Sequence, residues 1–180
     1  MLIGLSGKKQ NGKTTLADYL IIEKGFAEVS WAAPLKNIIG MELLGLKYHQ
    51  IYGTEAEKEA TDEFWGKSPR RLLQIIGTDC FRNLVHPDFW VKIGEREIQR
   101  LLDEGKNVVV SDCRFPNEIQ AVRKLGGSSV RVVRLEHVAE VDEHPSETAL
   151  DTYPFDYVIE AKNVRQLTDG GDQVLDAIQA

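Results

Sequence analysis

The sequence predicts an α/β protein: a parallel sheet of about five strands with helices on both faces. Three observations carry this. An apolar run, Met1-Leu2-Ile3-Gly4-Leu5, leads into Gly7-Lys8-Lys9-Gln10-Asn11-Gly12-Lys13-Thr14, which opens into a helically spaced stretch over 14–22. Strand-like and helix-like segments then alternate about five times along the chain. A further apolar run, Val108-Val109-Val110, ends on Ser111-Asp112, as a buried parallel strand does at a polar edge.

The first segment fits the pattern G-x-x-x-x-G-K-[ST] at every fixed position, in the strand–loop–helix setting that a phosphate-binding loop requires. Glycines let the backbone turn its N–H groups toward phosphate oxygens, and the helix N-terminus adds a favourable dipole. Lys13 is the expected contact to the β- and γ-phosphates, and the Thr14 hydroxyl is the expected Mg²⁺ ligand. The chain is therefore expected to bind a nucleoside triphosphate.

Gly25 is placed to cap the first helix, and 26–30 reads as a short second strand. A helix is predicted from Pro34, carrying Ile38, Ile39, Leu43 and Leu44. Residues 45–68 turn polar and acidic and read as a mobile excursion with solvated charges. Residues 69–77 restart a helix, with Pro69 placed for its first turn, and 88–104 is a further amphipathic helix closed by Gly105. After the 107–112 strand come a helix over 115–125, a strand over 130–135, a polar stretch over 137–154, a strand over 157–160 and a terminal helix from Val164. That last helix is weakly supported at Gly170-Gly171. The excursions 45–68 and 137–154 are candidates for moving parts over a site at the carboxyl ends of the strands.

At 180 residues the length suits one domain, and a net charge of −6 argues against a broad nucleic-acid face. Two cysteines, Cys80 and Cys113, lack zinc-ligand spacing and read as free thiols of a reducing compartment. The apolar start is too short for a signal or a membrane span, so a soluble cytoplasmic protein is expected.

Asp112 stands where a strand-end acid could hold hydrated Mg²⁺ or a second substrate; a helix N-cap is the structural alternative. Arg114 beside it could grip phosphate or simply pair with Asp112. Arg70 and Arg71 sit at a helix start, where a cation is mildly unfavourable unless it meets an anion. Arg131 and Arg134 lie three apart on one strand and face opposite sides; Arg134, nearer the carboxyl end, is the expected site residue. Trp31 and Trp90 read as core residues or as a stacking face for a base. His144 suits lid ordering better than general-base work, since phosphoryl transfer rests on positioning and charge. His49, His86 and His137 read as surface or structural groups.

Six blocks together resemble the deoxynucleoside monophosphate kinases of tailed bacteriophages. They are 6–15, Ala-x-Pro-Leu-Lys at 32–36, Arg-Arg-Leu-Leu-Gln-Ile-Ile-Gly-Thr-Asp at 70–79, Phe-Trp-Val-Lys at 89–92, Ser-Asp-Cys-Arg-Phe-Pro-Asn-Glu at 111–118 and His-Pro-Ser-Glu at 144–147. The resemblance implies a three-layer P-loop kinase fold over 1–180, with an acceptor-binding excursion at about 31–90 and a lid at about 137–154. It implies transfer of the ATP γ-phosphoryl group to a deoxynucleoside 5′-monophosphate, with Mg²⁺, in DNA precursor supply and in a host cytoplasm if phage-encoded. Asn11, Gly12, Lys13, Thr14 and Thr15 would hold ATP, with Thr14 and Asp112 on the metal. Lys9, Leu35, Lys36, Arg71, Gly77, Thr78, Trp90, Asp112, Arg114 and Glu118 would line the acceptor pocket. Lys9, Lys13, Arg71, Asp112 and Arg114 would carry catalysis. Two departures stand out: a known member has a longer insertion after the 33–45 helix, and has an acid where this chain has Thr14. No nucleic-acid or membrane partner is expected, and the oligomeric state, monomer or homodimer, is open. The alternatives from other classes are a kinase of another small acceptor, such as a coenzyme precursor or sugar acid, and an NTP-dependent switch module.

Overall fold

The computed structural model describes residues 1–135 and 144–180. The described strands are β1 (Leu2–Ser6), β2 (Ala27–Val29), β3 (Val108–Val110), β4 (Ser128–Arg134) and β5 (Tyr157–Ala161). The described helices are α1 (Lys13–Lys24), α2 (Tyr48–Tyr52), α3 (Glu55–Glu59), α4 (Pro69–Gln74), α5 (Phe89–Asp103), α6 (Pro116–Lys124), α7 (Pro145–Thr148) and α8 (Val164–Gln179). Two further stretches, π1 (Leu35–Leu43) and π2 (Ile75–Val85), are wound as π-helix. The chain divides into two compact units, Met1–Ser30 with Ile93–Ala180, and Trp31–Lys92.

The first unit is the sheet. Its strand order is β2-β3-β1-β4-β5, every pairing parallel. Strand alternation sorts its residues between two helix layers. Ile3 and Leu5 join a buried core with Leu16 and Leu20 of α1 and Leu167, Val174 and Leu175 of α8. Gly4 points the other way, where an added Cβ would lie 3.0 Å from Val122 of α6. All five strands expected from the sequence are present.

The weak point at Gly170-Gly171 is not one: α8 runs unbroken through both. A Cβ on Gly170 would come within 2.7 Å of Ile159, and one on Gly171 within 2.9 Å of Leu16. The two glycines let α8 sit close against β5 and α1, a packing demand that outweighs their poor helix propensity.

The second unit, Trp31–Lys92, packs a small core of Leu46, Ile51 and Leu72. Phe81, Phe89 and Trp90 form an aromatic cluster with ring centroids 4.6 to 5.2 Å apart. The helix that starts at Pro69 runs on past Gly77 as π2 to Val85. Gly77 is buried against Leu35, whose Cδ2 would lie 2.5 Å from an added Cβ, so this glycine serves a close approach. Residues 45–68 likewise hold more structure than their polarity suggested. Both α2 and α3 are five residues long, too short to display a helical period. In α3 the Thr54 hydroxyl accepts the Glu57 N–H at 3.3 Å, and Glu57 accepts the Thr54 N–H at 2.7 Å. Their acids are not all solvated: Glu55 and Glu59 both hold Arg70, at 2.7 and 3.1 Å.

Among the described residues no helix is long and apolar enough to cross a membrane. Cys80 is exposed and Cys113 buried, and among the described residues neither is in a disulfide. Of the 137–154 stretch, 137–143 lies outside the described residues, and His137 with it.

Candidate functional site

The loop between β1 and α1 is built for close approach. Gly7 has φ 150° and Gly12 φ 94°, both in the region that favours glycine. A Cβ on Gly7 would also stand 2.4 Å from the Val132 carbonyl of β4. The Asn11 side chain donates to that same carbonyl at 3.3 Å, tying the loop to β4. Gly12 caps α1, whose first turn presents Thr14 and Thr15 as exposed side chains.

Lys13 folds back over this loop. Its Nζ donates to the Gly7 carbonyl at 2.6 Å and to the Lys8 carbonyl at 2.8 Å. Burial, with the positive charges of Arg114 and Arg131, lowers its pKa from 10.5 to about 7, and Asp112 only partly offsets this. Near neutrality the lysine is close to half charged. Its neutral form has two N–H groups, which match the two carbonyls that it reaches.

Asp112 follows β3, and its carboxylate accepts the Ser30 hydroxyl at 2.7 Å. It is not the cap of α6. That work falls to Glu118, 3% exposed, whose Oε2 accepts the backbone N–H of Arg114 at 2.6 Å and of Phe115 at 3.0 Å. Arg114 itself pairs with Glu147 of α7. The structure thus gathers Lys13, Asp112 and Arg114 at the loop, with Glu118 behind Arg114, and adds residues that the sequence reading passed over or gave no role.

Those additions are Lys8, Arg131, Glu147 and Asp151. Lys8 pairs with Asp151 and donates to the Glu147 carbonyl at 2.7 Å. Arg131 donates to the Leu150 carbonyl at 2.6 Å, and its Nη2 lies 3.6 Å from the Asp151 carboxylate. The space left among these groups is about 10 Å³, room for roughly one water. Arg131, not Arg134, is therefore the strand residue at this site, and Arg134 is exposed. The reason is register. Arg131 stands level with Ser6, where β1 ends and the loop begins, whereas Arg134 pairs only with Ala161 of β5. Parallel pairing of the two strands was the signal that would have found it. His144 accepts the Glu147 N–H on its backbone carbonyl at 2.8 Å.

Lys9 stands half-buried on the loop of the sheet unit. The other expected acceptor residues lie in the second unit. Leu35 and Lys36 open π1, and Gly77 and Thr78 lie buried in π2. π-Wound turns recur at functional sites. The Lys36 ammonium lies 5.2 Å from the centre of the Tyr52 ring. Trp90 is 6% exposed, and its indole N–H donates to the Gly77 carbonyl at 2.9 Å. Trp31, at 2%, is core. Arg71 is exposed, one residue from the doubly paired Arg70.

Among the described residues no three His, Cys, Asp or Glu side chains cluster as a metal cage. The oxygen donors near the loop, the Thr14 hydroxyl and the Asp112 carboxylate, suit a hydrated Mg²⁺, which keeps several of its waters.

The fold is that of the P-loop kinases. Dephospho-CoA kinase from Campylobacter jejuni superposes with a TM-score of 0.53 at 16% identity, over 98% of this chain and 96% of that one. An Acanthamoeba polyphaga mimivirus protein named for deoxynucleotide monophosphate kinase is 40% identical over 160 residues, 83% of this chain and 82% of its own. Deoxynucleotide monophosphate kinase of Enterobacteria phage T4 is 28% identical over 153 residues, 81% of this chain but 61% of its own. The family model for deoxynucleotide monophosphate kinase matches residues 46–169. This chain belongs to the deoxynucleotide monophosphate kinase family.

Proposed function

We propose that this chain transfers the γ-phosphoryl group of ATP to a deoxynucleoside 5′-monophosphate, releasing ADP and the deoxynucleoside diphosphate, in the cytoplasm where DNA precursors are made. The observation that carries the reading is the seat of Lys13. It is a lysine folded back onto the carbonyls of a glycine-rich loop, flanked by Arg114, Arg131 and Asp112, in a chain of this family.

No catalytic base is required, because the acceptor phosphate is already an anion at neutral pH. Alignment and neutralisation of charge carry the rate. The loop N–H groups with Asn11, Gly12, Thr14 and Thr15 hold the ATP phosphates, and Lys13 swings from its own carbonyls to the transferring group. Thr14 and, through water, Asp112 would hold Mg²⁺, which would supply charge neutralisation at the phosphates. Arg114, fixed from behind by Glu118, and Lys9 meet the phosphates between donor and acceptor. Arg71 grips the acceptor phosphate, and Lys36 adds positive charge. Leu35, Gly77 and Thr78 shape the acceptor pocket, with Trp90 behind them holding the Gly77 carbonyl.

A coupled assay with ATP and Mg²⁺ against a panel of deoxynucleoside and ribonucleoside monophosphates tests the reading. ADP and a diphosphate product should appear together in equal amounts. ADP without a diphosphate product would mean hydrolysis and would refute it.

A further inference from the structure

One short segment answers the positive charges beside the loop. Glu147 and Asp151 give carboxylates to Arg114, Lys8 and Arg131, while the Glu147 and Leu150 carbonyls take N–H groups of Lys8 and Arg131. These oxygens do for the cations what phosphate oxygens would do. Both arginines add positive charge around Lys13, which Asp112 offsets only in part. Arg131 is only 19% exposed, stands level with Ser6 at the end of β1, and lines the same small space as Gly7, Lys8 and Arg114. Its reach to Asp151, 3.6 Å, is longer than a good charge-assisted bond, and Asp151 is shared with Lys8. Such a contact is easily exchanged for a better anion.

We propose that Arg131 is a further phosphate-contacting residue of the reaction, and that the Glu147 and Asp151 carboxylates hold the cationic cluster until a substrate phosphate displaces them. This rests on the phosphotransferase reading and deepens it. The plainer role for Arg131 is structural, since its guanidinium also lies 5.4 Å from the centre of the Phe155 ring and ties down the Leu150 carbonyl.

Calorimetric titration of the full chain with inorganic tripolyphosphate separates the two. Arg131→Ala should bind it about tenfold more weakly or worse, the loss of a charge-assisted contact. Arg131→Gln keeps a donor for the Leu150 carbonyl without the charge, so it should melt near the parent temperature and still lose that affinity. It carries the test if the alanine variant fails to fold. Asp151→Asn and Glu147→Gln, which remove the competing charge, should each bind about three- to tenfold tighter. Parent-like affinity in Arg131→Gln, or no gain in either acid variant, overturns the proposal. Tripolyphosphate binding does not depend on which acceptor is phosphorylated, so failure here and failure of the monophosphate assay are independent results.

Discussion

Arg70 and Arg71 are neighbours with opposite circumstances: Arg70 is held by Glu55 and Glu59, and Arg71 lies exposed. The pair of acids answers why a cation tolerates a helix start at position 70. It leaves the other arginine as the one available to a ligand. Arg71→Ala should lower kcat/KM for the monophosphate by roughly ten- to a hundredfold, the worth of a charge-assisted bidentate contact. Affinity for a non-hydrolysable ATP analogue should hardly change. Arg71→Lys should recover part of the loss, since an ammonium lacks the planar fork. Arg70→Ala should instead lower folding stability, by about 1 kcal/mol or less per partly exposed pair. If Arg71→Ala weakens the ATP analogue and spares acceptor kinetics, its assignment to the acceptor is wrong.

Glu118 is a second case in which position explains role. Its buried carboxylate accepts two backbone N–H groups at the start of α6, one of them from Arg114. Glu118→Ala leaves both donors without that acceptor and should cost about 1–3 kcal/mol of stability. Turnover should fall as well, because the backbone that aims Arg114 is released. Glu118→Gln keeps an oxygen acceptor and should retain more of both. Equal kcat in all three forms, measured well below their melting temperatures, would remove Glu118 from the site.

Much of the sheet was legible because apolar runs bounded by glycine and polar residues report buried parallel strands directly. The loop was legible because its glycines, Lys13 and Thr14 are required by local backbone geometry. What escaped was information stored across strands. Arg131 could be preferred over Arg134 only by knowing that Ser6 lies opposite it. Glu147 and Asp151 became relevant only when the fold brought them to Lys8, far away in sequence. The short α2 and α3 escaped for another reason: five residues hold too little of a helical period, and caps and ion pairs stabilise them instead of an apolar stripe.

Asp112 and Ser30 give a test at the edge of the sheet. The Ser30 hydroxyl donates to the Asp112 carboxylate at 2.7 Å and holds it at the end of β3. Asp112→Asn should lower kcat by about a hundredfold, as loss of a preorganised charge at a reacting phosphate does. Raising Mg²⁺ should recover part of that activity if the carboxylate acts through the metal's waters. Ser30→Ala should show a smaller loss of the same kind. Full activity in Asp112→Asn at low Mg²⁺ would show that the acid takes no part.

Lys13 yields the most direct measurement. Lys13→Ala should cut kcat by about a hundredfold or more with the fold intact, since the lysine acts on developing charge and not on packing. In the free protein its pKa is about 7, lowered first by burial and then by Arg114 and Arg131. Between that value and the ordinary lysine range, the unfolded chain holds a proton that the folded one lacks. The group's cost to folding is therefore present in full below about pH 7 and is relieved as pH rises toward 10.5. Phosphate brings the opposite pressure. A bound triphosphate favours the charged amine, so at pH 8, where only about one-tenth of free Lys13 is charged, binding should take up close to one proton. Calorimetry in two buffers of different ionisation enthalpy reads that uptake. Affinity for the ATP analogue should fall by up to about tenfold per unit above pH 7. Lys13→Arg, charged throughout, should bind without proton uptake and without that slope. The neighbouring charges, Lys8, Arg114, Arg131, Glu147, Asp151 and Asp112, remain in the variant, so any contribution from them would persist in it. If the parent protein binds the analogue at pH 8 with the same enthalpy in both buffers, Lys13 is already charged in the free loop, and its two carbonyl contacts are those of an ammonium.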